Sequence, residues 1–160
     1  MDISFRRIVT GETIDGRSVF THVEEIEPVT PGGDAACHVV WSWLQTPTLP
    51  CHDPQLTDPT IGLPEGPGAM KIVVWTLPPG FPRTGAHPDA GRMHSTDTVD
   101  VLFILEGEMQ LRQADDDREV TLRRGDVLVQ NGTVHEWRNA TDEPCVLAYV
   151  FFGTTRDEHR

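Results

Sequence analysis

Two histidines, His94 and His135, sit at the mouths of extended, glycine-punctuated stretches. His94 opens the run His94-Ser95-Thr96-Asp97-Thr98-Val99-Asp100-Val101-Leu102-Phe103-Ile104-Leu105-Glu106-Gly107, and His135 follows the pair Asn131-Gly132. A neutral imidazole offers one ring nitrogen as base or metal ligand, and an ordinary pKa of about 6.5 lets it exchange protons near neutrality. If the first run is strand throughout, two-residue alternation puts His94, Thr96, Thr98 and Asp100 on one face, followed there by Leu102 and Ile104. Polar groups then enter at one end of an apolar face. Val101, Phe103 and Leu105 make the other face apolar too, so the later part of this strand is expected to be buried on both sides, where a polar inward group needs a partner. His135 would begin a returning strand, with Trp137 and Asn139 on its face.

The elements that must hold these groups read as an all-β architecture. Short β-branched and aromatic runs alternate with Gly, Pro, Asp and Asn clusters, the mark of a sandwich or barrel rather than of βαβ units. Strands are expected at Phe5–Thr10, Ser18–Val23, Cys37–Leu44, Met70–Leu77, Val99–Leu105, Glu108–Gln113, Glu119–Leu122, Val127–Gln130, Glu136–Asn139 and Val146–Phe152. No helix is expected. The Asn131-Gly132 pair signals a tight turn because both residues tolerate positive φ, and Ala114-Asp115-Asp116-Asp117 reads as a solvated hairpin turn. Two Pro- and Gly-rich segments, 46–68 and 78–92, cannot be strand interiors. They read either as surface crossovers or, since the second runs directly into His94, as a partial lid over the barrel mouth.

Composition narrows the partners. The 160 residues suit one domain with a real core, taken as 1–160, with strands and loops of 1–68 covering a barrel core of 69–153. Thirteen Lys and Arg against 25 Asp and Glu give a formal charge of −12, which opposes nucleic-acid backbones and anionic membranes. Cys37, Cys51 and Cys145 are widely spaced without a CxxC pair, so neither a disulfide framework nor a thiolate zinc site is indicated. No signal-peptide core or stretch of roughly 20 apolar residues is present. A soluble protein of the reducing cytoplasm is expected.

The residues around the two histidines resemble the paired motifs of the cupin superfamily. His94 stands at the first histidine of the first motif, Asp100 at its glutamate and Gly107 at its closing glycine. Gly125, Gly132, His135 and Asn139 match the second, with Asn131 near the proline position and the stretch from Gly125 to His135 one residue short. The resemblance covers residues 92–139 and implies a double-stranded β-helix, or jelly-roll barrel. Thr96 replaces the second family histidine, leaving His94, His135 and Asp100 as the implied metal ligands. Two imidazoles and a carboxylate leave open positions and suit non-haem Fe(II); Zn, Ni or Mn are alternatives, as is no metal at all. Asp100, a methylene shorter than glutamate, could instead orient a histidine N–H, and His87 could reach in from its loop. The remaining histidines, His22, His38, His52 and His159, have no motif context.

Pocket walls are expected from Thr96, Trp137, Phe103 and Met109, with Trp137 best placed and Trp75, Trp41 and Trp43 as further aromatics. Such a pocket would take a small hydrophobic or aromatic organic acid or enol. The resemblance implies a metal-dependent oxygenase, lyase or isomerase. Metal-free His/Asp acid-base catalysis and a non-catalytic ligand-binding module are the other readings. Small cupins are commonly homodimers, so a homodimer is implied as well.

Overall fold

The β-branched and aromatic runs form ten strands in a computed structural model that describes residues 4–29, 35–52, 54–82 and 92–157. They are β1 (Phe5–Glu12), β2 (Ser18–Ile26), β3 (Ala36–Trp43), β4 (Met70–Leu77), β5 (Thr98–Glu106), β6 (Glu108–Gln113), β7 (Glu119–Arg123), β8 (Val127–Gln130), β9 (His135–Arg138) and β10 (Cys145–Gly153). Each matches a strand expected from sequence, with ends shifted by no more than three residues. All pairings are antiparallel. One sheet runs β3-β4-β10-β5-β8, a second β7-β6-β9, and β1 pairs with β2 as a hairpin.

Alternation along each strand decides what lies between the two larger sheets. Leu77, Leu102, Ile104, Cys145 and Leu147 from the five-stranded sheet meet Met109, Leu111, Leu122 and Trp137 from the three-stranded sheet in one buried cluster. Each fully buried Leu or Met contributes about 1.5–3 kcal/mol relative to exposure. A second cluster of Cys37, Val39, Val73 and Phe151 lies beyond the reach of the smaller sheet and is covered by Leu56 and Ile61. Lys71 fastens that cover: its buried ammonium donates to the Asp58 carboxylate, to the Thr60 carbonyl at 3.0 Å and to the Gly62 carbonyl at 2.5 Å. On the sheet's other side the β1-β2 hairpin packs over β3. Phe5 meets His38 at 4.8 Å between ring centroids, and the Arg7 guanidinium lies 5.7 Å above Trp41.

The run from His94 to Gly107 is not one continuous strand, contrary to the alternation argument. His94 bridges His135 and so extends the three-stranded sheet beyond β9, whereas Thr98 onward belongs to the five-stranded sheet. Residues 95–97 therefore carry the chain from one sheet to the other. Arg156 clamps this crossing, donating from Nη2 to the Thr96 carbonyl at 2.7 Å and the Gly132 carbonyl at 3.1 Å, and from Nε to Asp97 Oδ1 at 2.6 Å. Gly132 takes positive φ in the turn before β9 while Asn131 does not. A Cβ at Gly132 would lie 2.8 Å from the Thr96 carbonyl, so the crossing and the turn are packed backbone to backbone.

Gly107 and Gly125 both have positive φ, 76° and 94°, but only Gly107 is also crowded, by the Pro144 carbonyl and the Cys145 backbone. Left-handed backbone alone costs a non-glycine residue about 1–2 kcal/mol. Gly125→Ala should lower unfolding free energy by about that much. Gly107→Ala should cost roughly twice as much, because its methyl group must also displace main chain that cannot swing aside. Urea denaturation of the two variants checks the ordering.

Candidate functional site

The bridge between His94 and His135 builds the site. His94 N donates to His135 O at 3.0 Å and His135 N to His94 O at 2.9 Å, and the ring centroids come to 4.6 Å. Each ring is also held through Nδ1: His94 Nδ1 lies 2.9 Å from the Arg92 carbonyl and His135 Nδ1 2.8 Å from the Thr133 carbonyl. A carbonyl oxygen only accepts, so both Nδ1 atoms carry a proton, and in the neutral ring Nε2 is the nitrogen left with the lone pair. His135 is buried, and burial holds its pKa below the ordinary histidine value; the neighbouring His94 pushes the same way, while the Thr133 hydrogen bond opposes. It is a neutral base at neutral pH.

From this pair a string of ring contacts crosses the interior. His135 meets Trp137 at 5.8 Å, Trp137 meets Tyr149 at 6.3 Å, and Tyr149 stacks on Phe151 at 4.9 Å. Asp100 lies directly across the strand pair from Phe151 and is 3% exposed, with Oδ1 lacking any hydrogen-bond partner. Burial pushes its carboxyl up to about 6, the Thr98 hydroxyl pulling in the other direction. Burial, and next the Asp100 charge, also raise the Tyr149 phenol. Trp75, Tyr149, Gln113 and His94, at inward positions of the same region, remain partly exposed.

A ring of amide and hydroxyl groups joins the sheets beside the same residues. Gln130 Nε2 donates to Thr133 Oγ1 at 2.5 Å, Thr133 Oγ1 to Gln113 Oε1 at 2.6 Å, and Gln113 Nε2 to Gln130 Oε1 at 3.4 Å. Gln113 is the register partner of His135, and Gln130 that of Asp100. Sequence reasoning missed this ring and Tyr149. The signal was there: Gln113 and Gln130 are polar at inward positions of otherwise apolar strands, and Tyr149 alternates with Leu147 and Phe151.

Other expected residues fall variously. Thr96 is half-buried at the crossing, its hydroxyl accepting from Thr98 at 2.9 Å. Phe103 does not line the interior: it is 39% exposed on the outer face of β5, beside Val127, because odd positions of that strand point outward. Met109 is fully buried as core filling. Asn139 is structural, donating to the Pro78 carbonyl at 3.1 Å and the Glu143 carbonyl at 2.9 Å. Trp41 belongs with the hairpin, against His22 and Trp43. His87 and His159 lie outside the described residues. Among the described residues, no three His, Cys, Asp or Glu side chains converge as a metal-ligand cluster. The imidazoles come together, and among the described residues Asp100 does not complete a three-ligand cluster with them.

The family model described as a cupin domain matches residues 73–151, a span that includes Asp100, His135, Trp137 and Tyr149. The chain belongs to the cupin superfamily. This cupin is 31% identical over 143 residues to the phomopsin biosynthesis cluster protein C' of Diaporthe leptostromiformis, covering 83% of this chain and 69% of that one. It is 27% identical over 151 residues to the cupin-domain-containing oxidoreductase srdB of Neurospora crassa, covering 90% and 71%. A cupin 2 conserved barrel protein of Salinispora arenicola superposes with a TM-score of 0.46 at 16% identity, over 74% of this chain and 75% of that one. Among the described residues of the cupin no helix is long and apolar enough to cross a membrane.

The raised Asp100 pKa has a stability consequence. Below about pH 4 the carboxyl is protonated in both folded and unfolded chains. As pH rises to about 6 the unfolded chain ionises first, so the folded state loses stability across that window and stays penalised above it. Asp100→Asn removes the effect. Its stability relative to the parent should therefore improve by about 3 kcal/mol between pH 4 and 7. Paired denaturant titrations measure this difference, in which the opposing contribution of His135 cancels.

Proposed function

We propose that this cupin is an enzyme that moves protons on a small, largely apolar organic molecule held between the two sheets. The observation that carries this reading is His135 itself, a buried neutral imidazole whose Nδ1 is committed to main chain and whose Nε2 lone pair is free. His135 takes a proton from an acidic C–H or O–H of the substrate. The electron pair stays on the substrate as an enolate-like anion, and return of the proton elsewhere, or loss of a leaving group, completes an isomerase- or lyase-type reaction. Asp100 holds the polar end of the substrate, and Trp137 and Tyr149 supply the apolar wall. Kinship with biosynthesis cluster proteins supports a role in small-molecule synthesis.

A second reading is a metal-dependent enzyme, favoured by the tautomer both histidines share and by the oxidoreductase name of the Neurospora relative. His94 and His135 would hold the ion through Nε2, and a divalent metal there would supply Lewis acidity or, as Fe(II), dioxygen chemistry. The donor set among the described residues fits two coordination positions.

A panel of enolisable ketones, oxo acids and aromatic intermediates, incubated with the protein in deuterated water and followed by NMR, separates these readings. Turnover or deuterium incorporation should survive chelator and fall about 100-fold or more in His135→Gln. Turnover that vanishes with chelator and returns with added metal would transfer the conclusion to the metal reading. Saturable binding without conversion would leave a ligand-binding module.

A further inference from the structure

The five-stranded sheet carries one inward row in which Ser42, Lys71, Phe151, Asp100 and Gln130 are successive register partners. Lys71 and Asp100 are thus two strand spacings apart, roughly 10 Å between backbones, a gap that a lysine side chain can largely close. The ammonium turns the other way. Its three protons are taken by the Asp58 carboxylate, the Thr60 carbonyl and the Gly62 carbonyl, and the Phe151 ring stands between it and Asp100. The fold places a buried carboxyl and a buried ammonium in one row and then withholds the cation from the anion.

What surrounds Asp100 instead is electron-rich. Tyr149 and Phe151 stack beside it, Trp137 meets Tyr149 edge-on, and aromatic faces carry negative potential that attracts cations. Oδ1 is buried without a donor, and an ionised carboxylate in that setting is costly until a hydrogen-bonding partner arrives. The neighbouring polar ring of Gln113, Gln130 and Thr133 spends its hydrogen bonds internally. A ligand carboxylate would face this wall with no free cation among the described residues of the row.

We propose that the interior is a site for a small organic cation, a protonated amine carrying an aromatic or similarly flat apolar group, with the ammonium on Asp100 Oδ1 and the ring against Trp137 and Tyr149. This narrows the substrate class of the site described above and rests on the reading of that interior as a ligand site. It replaces the organic acid expected from sequence by a ligand of opposite charge.

The test compares three probes of nearly one shape, 2-phenylethylamine, 2-phenylethanol and phenylacetate, by tryptophan fluorescence and NMR titration of the whole chain at pH 7.5. The amine should bind at least about 10-fold more tightly than the alcohol, and phenylacetate more weakly than either. Asp100→Asn should bring the amine to the level of the alcohol, while Tyr149→Leu should weaken amine and alcohol alike; melting curves confirm that both variants fold. Equal or tighter binding of phenylacetate, an amine preference that persists in Asp100→Asn, or no binding of the amine at millimolar concentration would overturn the proposal. Amine binding in a protein that turns over nothing would leave this site standing and remove the enzymatic reading. Turnover restricted to anions would do the reverse.

Discussion

A two-sheet sandwich must pass its chain from one layer to the other, and at each passage backbone donors and acceptors leave one ladder before they join the next. In this protein the passage at residues 95–97 is secured on one side by the reciprocal His94-His135 hydrogen bonds and on the other by the start of β5. Arg156 supplies three charge-assisted bonds to the same few residues, and the backbone of Gly132 packs against Thr96. The imidazole pair is a product of that closure. Two histidines that face each other across a bridge must bring their rings close, and the carbonyls of Arg92 and Thr133, two residues upstream in each case, fix both rings in one tautomer. Main chain, which side-chain substitution cannot remove, sets the protonation pattern of the site.

The distribution of buried charge follows a second constraint. A buried ammonium is tolerable when each proton has an acceptor, and Lys71 meets that condition while pinning the segment that covers Phe151 and Val73. Asp58 shows the result: burial favours its neutral form, yet the Lys71 and Thr60 hydrogen bonds outweigh burial and hold its carboxyl at about 2. Asp100, on the same row as Lys71, has no cation, and the Thr98 hydroxyl only partly offsets its burial. The two carboxyls lie at about 2 and about 6 because one is paired with an ammonium while for the other burial outweighs a single hydroxyl. The same side chain is thus held charged or pushed toward its neutral form by the presence or absence of one cation.

Much of this was legible in the sequence, for reasons that also mark the limit. The strands could be read because alternation and glycine punctuation are local properties, and Gly107, Gly125 and Gly132 mark turns whose φ excludes other residues. His94, His135 and Asp100 were identifiable as candidates because polar groups at inward positions of apolar strands stand out. Their mutual arrangement was not legible, since periodicity alone extends β5 back to His94 and gives no sign that the chain changes sheets at Ser95. Phe103 illustrates the same limit: its own parity places it outward, although an aromatic residue between the two motif ends suggests a pocket wall. The role of Lys71 depends on contacts with residues nine to thirteen positions away, through a proline-rich segment whose course no pattern predicts.

Thr96 shows how a substitution within a family motif can be absorbed structurally. Where a second histidine would add a third imidazole, the threonine hydroxyl accepts from Thr98 and its carbonyl receives Arg156, so the residue serves the crossing rather than the interior. The interior is left with two kinds of titrating group on which burial acts in opposite directions. It lowers the His135 pKa and raises that of Asp100 to about 6, in both cases favouring the uncharged form. At neutral pH Asp100, with its pKa at about 6, is an anion, while burial keeps His135 neutral. At neutral pH the interior therefore combines a neutral imidazole with a buried carboxylate whose Oδ1 has no hydrogen-bond partner, the two features on which both proposals rest.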